Sequence, residues 1–160
     1  METQQLSILL VEDEIALAEM YRIGLERAGY LVRLATDGPS GFEEAIKAPP
    51  DLLLVDIRLP GFDGFQLLQQ LRERADTQDL PAVVLSNFGS DEMLDRGRQL
   101  GVLAHFVKAQ TPPSRLCEWI ESWRVSGGAI VGSEVAVSAA MSESLGVEMR
   151  QADEFQTDPK

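Results

Sequence analysis

The sequence predicts an α/β fold, a doubly wound five-stranded parallel sheet with helices on both faces. Two observations support this class. Five short apolar runs recur along the first 124 residues, and a segment of helical periodicity follows each of them. Apolar runs without polar alternation are typical of strands buried on both faces of a parallel sheet. Right-handed crossovers between such strands place the helices on both faces.

The five apolar runs define the predicted strands. They cover residues 6–11, 31–35, 52–55, 82–85 and 102–107. The natural strand order for five such units is 2-1-3-4-5, the flavodoxin-like order. Ligands of these sheets bind beyond the carboxyl ends of the strands, at the point where the strand order reverses. The functional site is therefore expected at that edge.

The segments between the strands have the periodicity of amphipathic helices. The predicted helices cover residues 15–28, 40–48, 64–74, 90–100 and 112–124. Gly29 and Gly101 follow two of them as C-terminal stops. Asp63 is an N-cap for the third helix, and Thr111 caps the last, with Pro112 at its first position.

The composition changes near residue 125. We predict one folded domain over residues 5–124, followed by an acidic, flexible tail over 125–160 that is rich in Gly, Ser and Ala. The tail is too short for a typical second domain. Four apolar residues recur within it at a spacing of four, which leaves open a short helix that docks on a partner: Val137, Met141, Leu145 and Met149.

The charge balance excludes several kinds of partner. The chain has 26 acidic and 14 basic residues, a formal charge of −12. Such a surface argues against nucleic acid as a direct ligand, since phosphate binding needs clustered Lys and Arg, and against an anionic membrane. No signal peptide or membrane-spanning run is present, and the lone Cys117 forms no internal disulfide. We expect a cytoplasmic protein.

Three carboxylates follow the first and third predicted strands. Glu12 and Asp13 come directly after the first, and Asp56 after the third. Parallel strands end side by side, so these acids are expected to converge, and like charges at that distance repel unless a cation neutralises them. Oxygen ligands favour Mg²⁺. A helix-capping role for Glu12 and Asp13 is the simpler alternative.

Two further polar residues end the fourth and fifth strands. Ser86 supplies a hydroxyl and Lys108 an ammonium. Beside a metal-bound carboxylate, these groups form a clamp for a phosphoryl group. Phosphoryl transfer requires mainly positioning and charge neutralisation, and an Asp carboxylate can accept the group covalently.

This set of residues resembles the receiver domain of two-component response regulators, and residues 59–64 are similar to the loop that follows the phospho-acceptor in that family. The resemblance implies that Asp56 accepts a phosphoryl group from a sensor histidine kinase or phosphotransfer protein. It implies no enzyme activity beyond self-phosphorylation and dephosphorylation. With no output domain expected in the tail, it implies a single-domain regulator with an unknown downstream protein.

The resemblance also implies a role for each site residue. Asp13, Asp56 and the backbone carbonyl of Arg58 would bind Mg²⁺ directly, and Glu12 mainly through water. Lys108 would pair with the phosphoryl oxygens, and Ser86 would hydrogen-bond one of them. Phe106 would be the aromatic switch whose rotamer couples to Ser86. The surface of the fourth helix, fifth strand and fifth helix would then change its partner affinity.

Some positions depart from the family pattern or stay open. Ala109 follows Lys108 where the family usually has Pro, and Asn87 follows Ser86 where a small residue is common. Ordinary core packing is the alternative for Phe106, and His105 is expected at the surface or an edge. Two tryptophans on the last helix fit a core position and a partner surface equally well, which includes a homodimer through that helix: Trp119 and Trp123.

Two other functions compete with the receiver interpretation. A phosphate-ester hydrolase of the haloacid-dehalogenase kind also has an Asp after an apolar strand, but it needs a second Asp where this chain has Arg58. The other alternative is a receiver-like interaction module that no longer uses phosphate, which Asn87 and Ala109 keep open.

Overall fold

The structure is a computed structural model, and it describes residues 5–87 and 89–126. Five parallel strands form one sheet in the order β2-β1-β3-β4-β5. The predicted fold class and strand order are both confirmed. The strands are β1 (Ser7–Val11), β2 (Leu31–Ala35), β3 (Leu52–Asp56), β4 (Ala82–Ser86) and β5 (Ala104–Val107).

Five α-helices alternate with the strands, as the periodicity predicts. They are α1 (Ile15–Arg27), α2 (Gly38–Lys47), α3 (Gly64–Arg72), α4 (Asp91–Gln99) and α5 (Pro113–Val125). A short 3₁₀ turn, Lys108–Gln110, joins β5 to α5. None of the helices in the described residues is long and apolar enough to cross a bilayer.

The sheet divides the core into two apolar layers. Side chains alternate along each strand, so in β1 Ile8 and Leu10 face one layer while Leu9 and Val11 face the other. The first layer also contains residues of α1 and α5, such as Tyr21 and Leu116. The second contains residues of α2, α3 and α4 and their flanks. Both layers leave the carboxyl ends of the strands open for polar groups.

Residues at the helix ends fix the loops at both edges of the sheet. Gly29 and Gly101 have φ of +103° and +74°, the left-handed conformation that stops a helix, as predicted. Asp63 caps α3 in a reciprocal capping box with Gln66, which confirms the predicted cap. At Gly64 a Cβ would lie 2.2 Å from the Asp56 carbonyl oxygen, so only glycine lets α3 begin this close to β3.

Three predicted helix starts differ from the structure. Helix α4 begins at Asp91, with Ser90 as its N-cap. Helix α2 begins at Gly38, because Asp37 accepts a hydrogen bond from the Ser40 N–H and caps the helix there. Thr111 does not cap α5, since Pro112 holds that position without a side-chain hydrogen bond. The Thr111 hydroxyl instead donates to the Val107 carbonyl.

The predicted tail lies largely outside the described residues. Helix α5 ends at Val125, and residues 127–160 are not described. The expectations of a flexible segment, a docking helix and a missing output domain all fall on those residues.

Candidate functional site

The three predicted carboxylates converge at the carboxyl ends of β1 and β3. Strand β1 pairs with β3 so that Val11 lies opposite Val55, which brings the residues that follow side by side. One carboxylate oxygen each from Glu12, Asp13 and Asp56 lies within 4.8 Å of the other two. Glu12 and Asp56 are buried and Asp13 is exposed. The site is therefore an acidic cluster with one side open to solvent.

Lys108 is the counter-charge of this cluster. Its Nζ lies 2.7 Å from Glu12 Oε1 and 2.9 Å from Asp56 Oδ2, and its side chain is buried. Burial acts to lower the pKa of Lys108, but the hydrogen bonds to Glu12 and Asp56 outweigh it and raise the pKa. Burial raises the pKa of Glu12 against the hydrogen bond from Lys108. The ammonium thus stays charged between the two carboxylates.

The cluster fits a hard divalent cation. Three carboxylates face a single ammonium, so negative charge remains in excess in a place where like charges cannot all ionise cheaply. The three carboxylate oxygens lie close enough together to bind one ion. Mg²⁺ and similar ions prefer oxygen ligands. Arg58, whose backbone carbonyl is the fourth predicted ligand, lines the shallow cleft beside Asp13.

Ser86 ends β4 and is buried, as predicted for a residue of the site. Its Oγ lies 2.8 Å from Nε2 of His105. His105 lies on β5, an edge strand of the sheet, but the expectation that it lies at the surface is wrong, since it is 3 % exposed. In the sequence, His105 is a polar residue within the apolar run 102–107, and this pattern could have indicated that it is buried.

Phe106 lies on the opposite face of the sheet from Ser86, so the predicted coupling of its rotamer to Ser86 has no direct contact behind it. Successive side chains of a strand point to opposite faces, so Phe106 lies on the face opposite to His105. It belongs to the apolar layer with α1 and α5. There its ring packs edge-to-face on Trp119, with 5.9 Å between ring centroids. Phe106 is a core residue, the alternative given for it above.

The imidazole of His105 is neutral at physiological pH. Burial lowers its pKa to about 4. Within residues 5–87 and 89–126, its Nδ1 has no hydrogen-bond partner, which leaves Ser86 as its polar contact. Gly89, which precedes α4, lies against the ring, since a Cβ at this position would be 3.4 Å from Nε2. His105 therefore connects Ser86 to the loop that leads into α4.

A cleft of about 260 Å³ opens beside Asp56 on the side of β4 and α4. Ser86 and Asn87 line one wall, and Arg58 and Arg96 lie at its rim. Asn87, one of the two departures from the family pattern, thus lines the cleft beside Asp56. The guanidinium of Arg96 also lies 4.7 Å from the ring centroid of Phe65.

The peptide after Lys108 is trans, because the described residues contain no cis peptide bond. Ala109 is part of the 3₁₀ turn, in which the Thr111 N–H donates to the Lys108 carbonyl at 3.1 Å. The turn holds Lys108 without a proline.

Comparison with known proteins identifies the family. The model of the response regulator receiver domain matches residues 8–121. The chain belongs to this family of receiver domains. Among its curated relatives, the DNA-binding dual master transcriptional regulator RpaA of Synechocystis is 40 % identical over 101 residues, which are 63 % of this chain and 42 % of that protein. The sporulation initiation phosphotransferase F of Bacillus subtilis is 27 % identical over 63 % of this chain and 80 % of that protein.

Solved receiver structures have the same fold. A putative response regulator from Chloroflexus aurantiacus superposes with a TM-score of 0.69 at 30 % identity, over 74 % of this chain and 97 % of that one. The chemotaxis response regulator CheY4 of Vibrio cholerae gives a TM-score of 0.69 at 27 % identity, over 74 % and 98 %. The match covers less than half of RpaA and of the ResD regulator of Bacillus subtilis. The comparisons therefore concern the receiver domain.

The two tryptophans of this receiver lie together on α5. Trp119 and Trp123 stack with 6.0 Å between centroids and an interplanar angle of 6°. Both are partly buried and pack against the core layer of α1 and α5. The buried part of each ring fits the core interpretation. The exposed part of each ring lies on the outer surface of α5.

Proposed function

We propose that this receiver accepts a phosphoryl group on Asp56 from a histidine kinase or a phosphotransfer protein, with Mg²⁺ as cofactor. The observation that carries the proposal is the contact of one buried ammonium, Lys108, with both Glu12 and Asp56. A buried carboxylate held by a single cation at a strand end is a positioned nucleophile.

The transfer exchanges one bond to phosphorus for another. A carboxylate oxygen of Asp56 attacks the phosphorus of a phosphohistidine, the P–N bond breaks, and the imidazole nitrogen leaves with its electron pair and takes up a proton. Lys108 is placed to hold a phosphoryl oxygen, and the Ser86 hydroxyl can donate to another. Glu12, Asp13, Asp56 and the Arg58 carbonyl would hold Mg²⁺, which neutralises charge on the transferred group.

We propose that Ser86 Oγ moves away from His105 when it binds a phosphoryl oxygen. If Ser86 turns toward a phosphoryl oxygen, its hydrogen bond to His105 Nε2 is lost. Because Nδ1 already has no partner within the described residues, the imidazole would then be buried with two unsatisfied nitrogens. A shift of His105 and of the β4–α4 loop over it relieves this cost. We propose that this shift changes the surface of α4, β5 and α5 for a protein partner.

The partner of that surface is proposed to be a protein. Residues 1–124 hold 20 acidic and 12 basic residues, so the receiver itself is poorly suited to nucleic acid. A second copy of the chain, joined through α5, is one such partner. We propose no enzyme activity beyond phosphorylation and dephosphorylation of Asp56.

Incubation with acetyl phosphate and Mg²⁺, followed by intact-mass spectrometry, tests the proposal. The chain should gain one phosphoryl group, and Asp56→Asn should gain none. Asp79→Asn is the matched control, because Asp79 is an exposed carboxylate outside the cluster. An unlabelled chain in the presence of Mg²⁺ would overturn the proposal. Multiple turnover of a phosphomonoester would favour a hydrolase instead.

A further inference from the structure

A buried tyrosine of α1 anchors the turn that carries Lys108. The Tyr21 hydroxyl donates a hydrogen bond of 2.7 Å to the Thr111 carbonyl oxygen. Tyr21 is 1 % and Thr111 2 % exposed. Burial raises the pKa of Tyr21, so the phenol stays protonated and remains a donor. Helix α1 and the segment between β5 and α5 are thereby joined beneath the acidic cluster.

Thr111 also donates two hydrogen bonds to the backbone around Lys108. The Thr111 N–H donates to the Lys108 carbonyl at 3.1 Å, and the Thr111 hydroxyl donates to the Val107 carbonyl at 2.8 Å. Ala109 has no ring that fixes its φ, as a proline would. The path of the main chain at Lys108 therefore depends on hydrogen bonds that end at Thr111, and Thr111 is fixed by Tyr21.

The lysine side chain needs such an anchor. Nζ must lie within hydrogen-bond distance of two carboxylates from different strands, Glu12 and Asp56. A lysine side chain has several rotatable bonds, and misplacement of a positioning group by about 1 Å can reduce a rate substantially. Fixing the backbone of Lys108 limits the positions that Nζ can reach.

We propose that Tyr21 is a positioning residue for Lys108, acting through the hydrogen bond from its hydroxyl to Thr111. The proposal rests on the proposed function, because a correctly placed Lys108 matters for the phosphorylation of Asp56. Tyr21 touches no reacting atom. It holds the turn from which Lys108 reaches the phosphoryl group.

The test removes one hydroxyl at a time. Tyr21→Phe keeps the ring and its packing but loses the bond to Thr111. Tyr30→Phe is the matched control. The Tyr30 hydroxyl likewise makes a long-range hydrogen bond, to Glu121 Oε1 on α5 at 3.1 Å, but it does not contact the turn after Lys108. We expect phosphorylation by acetyl phosphate with Mg²⁺ to slow about tenfold in Tyr21→Phe and to stay unchanged in Tyr30→Phe. Thermal unfolding is recorded for both variants.

A double-mutant cycle separates positioning from a general effect on the fold. In a Lys108→Ala background, Tyr21→Phe should cause no further loss of rate, because the group that it positions is absent. An equal loss in both backgrounds would overturn the proposal, and so would an unchanged rate in the single variant.

A second readout does not depend on phosphorylation. The chain has three lysines, Lys47, Lys108 and Lys160, so the ammonium signal of Lys108 can be assigned in a ¹⁵N-lysine NMR spectrum. We expect this signal to broaden or shift in Tyr21→Phe alone. If the wild type is never phosphorylated, the proposed function fails while this signal still decides the role of Tyr21. If Tyr21→Phe does not fold, 3-fluorotyrosine is incorporated into Tyr30→Phe, where Tyr21 is the one remaining tyrosine. The fluorine changes the donor strength of the Tyr21 hydroxyl toward the Thr111 carbonyl, and an unchanged Lys108 signal there overturns the proposal.

Discussion

The Ser86 hydroxyl and the His105 imidazole are bonded to each other inside the domain, with 2.8 Å between Oγ and Nε2. Each residue is 3 % exposed. Ser86 ends β4 beside Asp56, whereas His105 lies under the loop that enters α4. The pair therefore links the acidic cluster to the α4 side of the molecule, and it is open to direct tests.

Replacing His105 by Phe should make the phosphorylated state easier to reach. The Ser86 hydroxyl then has no bond to His105 to give up, and such bonds have a net value of about 1 kcal/mol. Binding of beryllofluoride with Mg²⁺, measured by calorimetry, should tighten by about fivefold. Phe106→Leu is the control, because Phe106 packs on the other face. Equal tightening in both variants would contradict the role of the pair.

Stability should fall in mild acid because of His105. Its pKa is lowered to about 4 from 6.5, so the unfolded chain binds the extra proton between these values and stability is lost as pH falls through that range. Between about pH 7 and pH 5, the free energy of unfolding should fall by about 2 kcal/mol from this group.

Urea titrations of the wild type and His105→Phe at both pH values measure this effect. The raised pKa of Glu12 acts in the opposite direction, since it favours the folded state as pH falls. The difference between the two proteins isolates His105. An equal loss of stability in both would show that the imidazole is not buried as a neutral group.

Removal of Lys108 should destabilise the domain at neutral pH. Lys108→Met leaves Glu12 and Asp56 buried without their counter-charge, which typically costs about 3 kcal/mol. The loss should shrink as pH falls, because burial raises the pKa of Glu12 and this carboxylate is protonated more readily. Urea unfolding measures both, with the exposed Lys47→Met as control. A loss that is independent of pH would argue against an electrostatic cause.

Asp13 should favour metal binding at a cost in the stability of the metal-free domain. Its carboxylate is exposed but lies within 4.8 Å of those of Glu12 and Asp56, so Asp13→Asn should relieve like-charge repulsion and raise the free energy of unfolding without metal by about 0.5 kcal/mol. Mg²⁺ affinity should nevertheless fall by about tenfold or more, because a charged ligand is lost. Calorimetric titration of Mg²⁺ into the wild type and Asp13→Asn measures this difference. Equal affinities would show that Asp13 is not a ligand of the ion.

The sequence was informative where one local pattern determined the structure. Asp56 and Ser86 directly end buried apolar runs, so their place at the sheet edge followed from the runs alone. The strand order followed from five successive units of strand and helix. Asp63 is likewise part of a local capping motif.

Other features depend on packing between distant segments. In β5 both faces are covered, so the apolar pattern did not say which of His105 and Phe106 faces Ser86. That choice is made by pairing, in which Val107 lies opposite Ser86. The bond from Tyr21 to Thr111 joins residues 90 positions apart. The Thr111 hydroxyl donates to the Val107 carbonyl, and this bond withdraws it from the capping role that its position next to Pro112 indicated.

The stacked tryptophans have a practical consequence. The chain contains two tryptophans, and both lie on α5, with Trp119 against the Phe106 ring. Tryptophan fluorescence of the unmodified protein therefore originates from a single helix, at the surface proposed to respond to phosphorylation. Stopped-flow measurement of this emission can therefore follow the rate at which the environment of α5 changes after phosphorylation, without an attached dye.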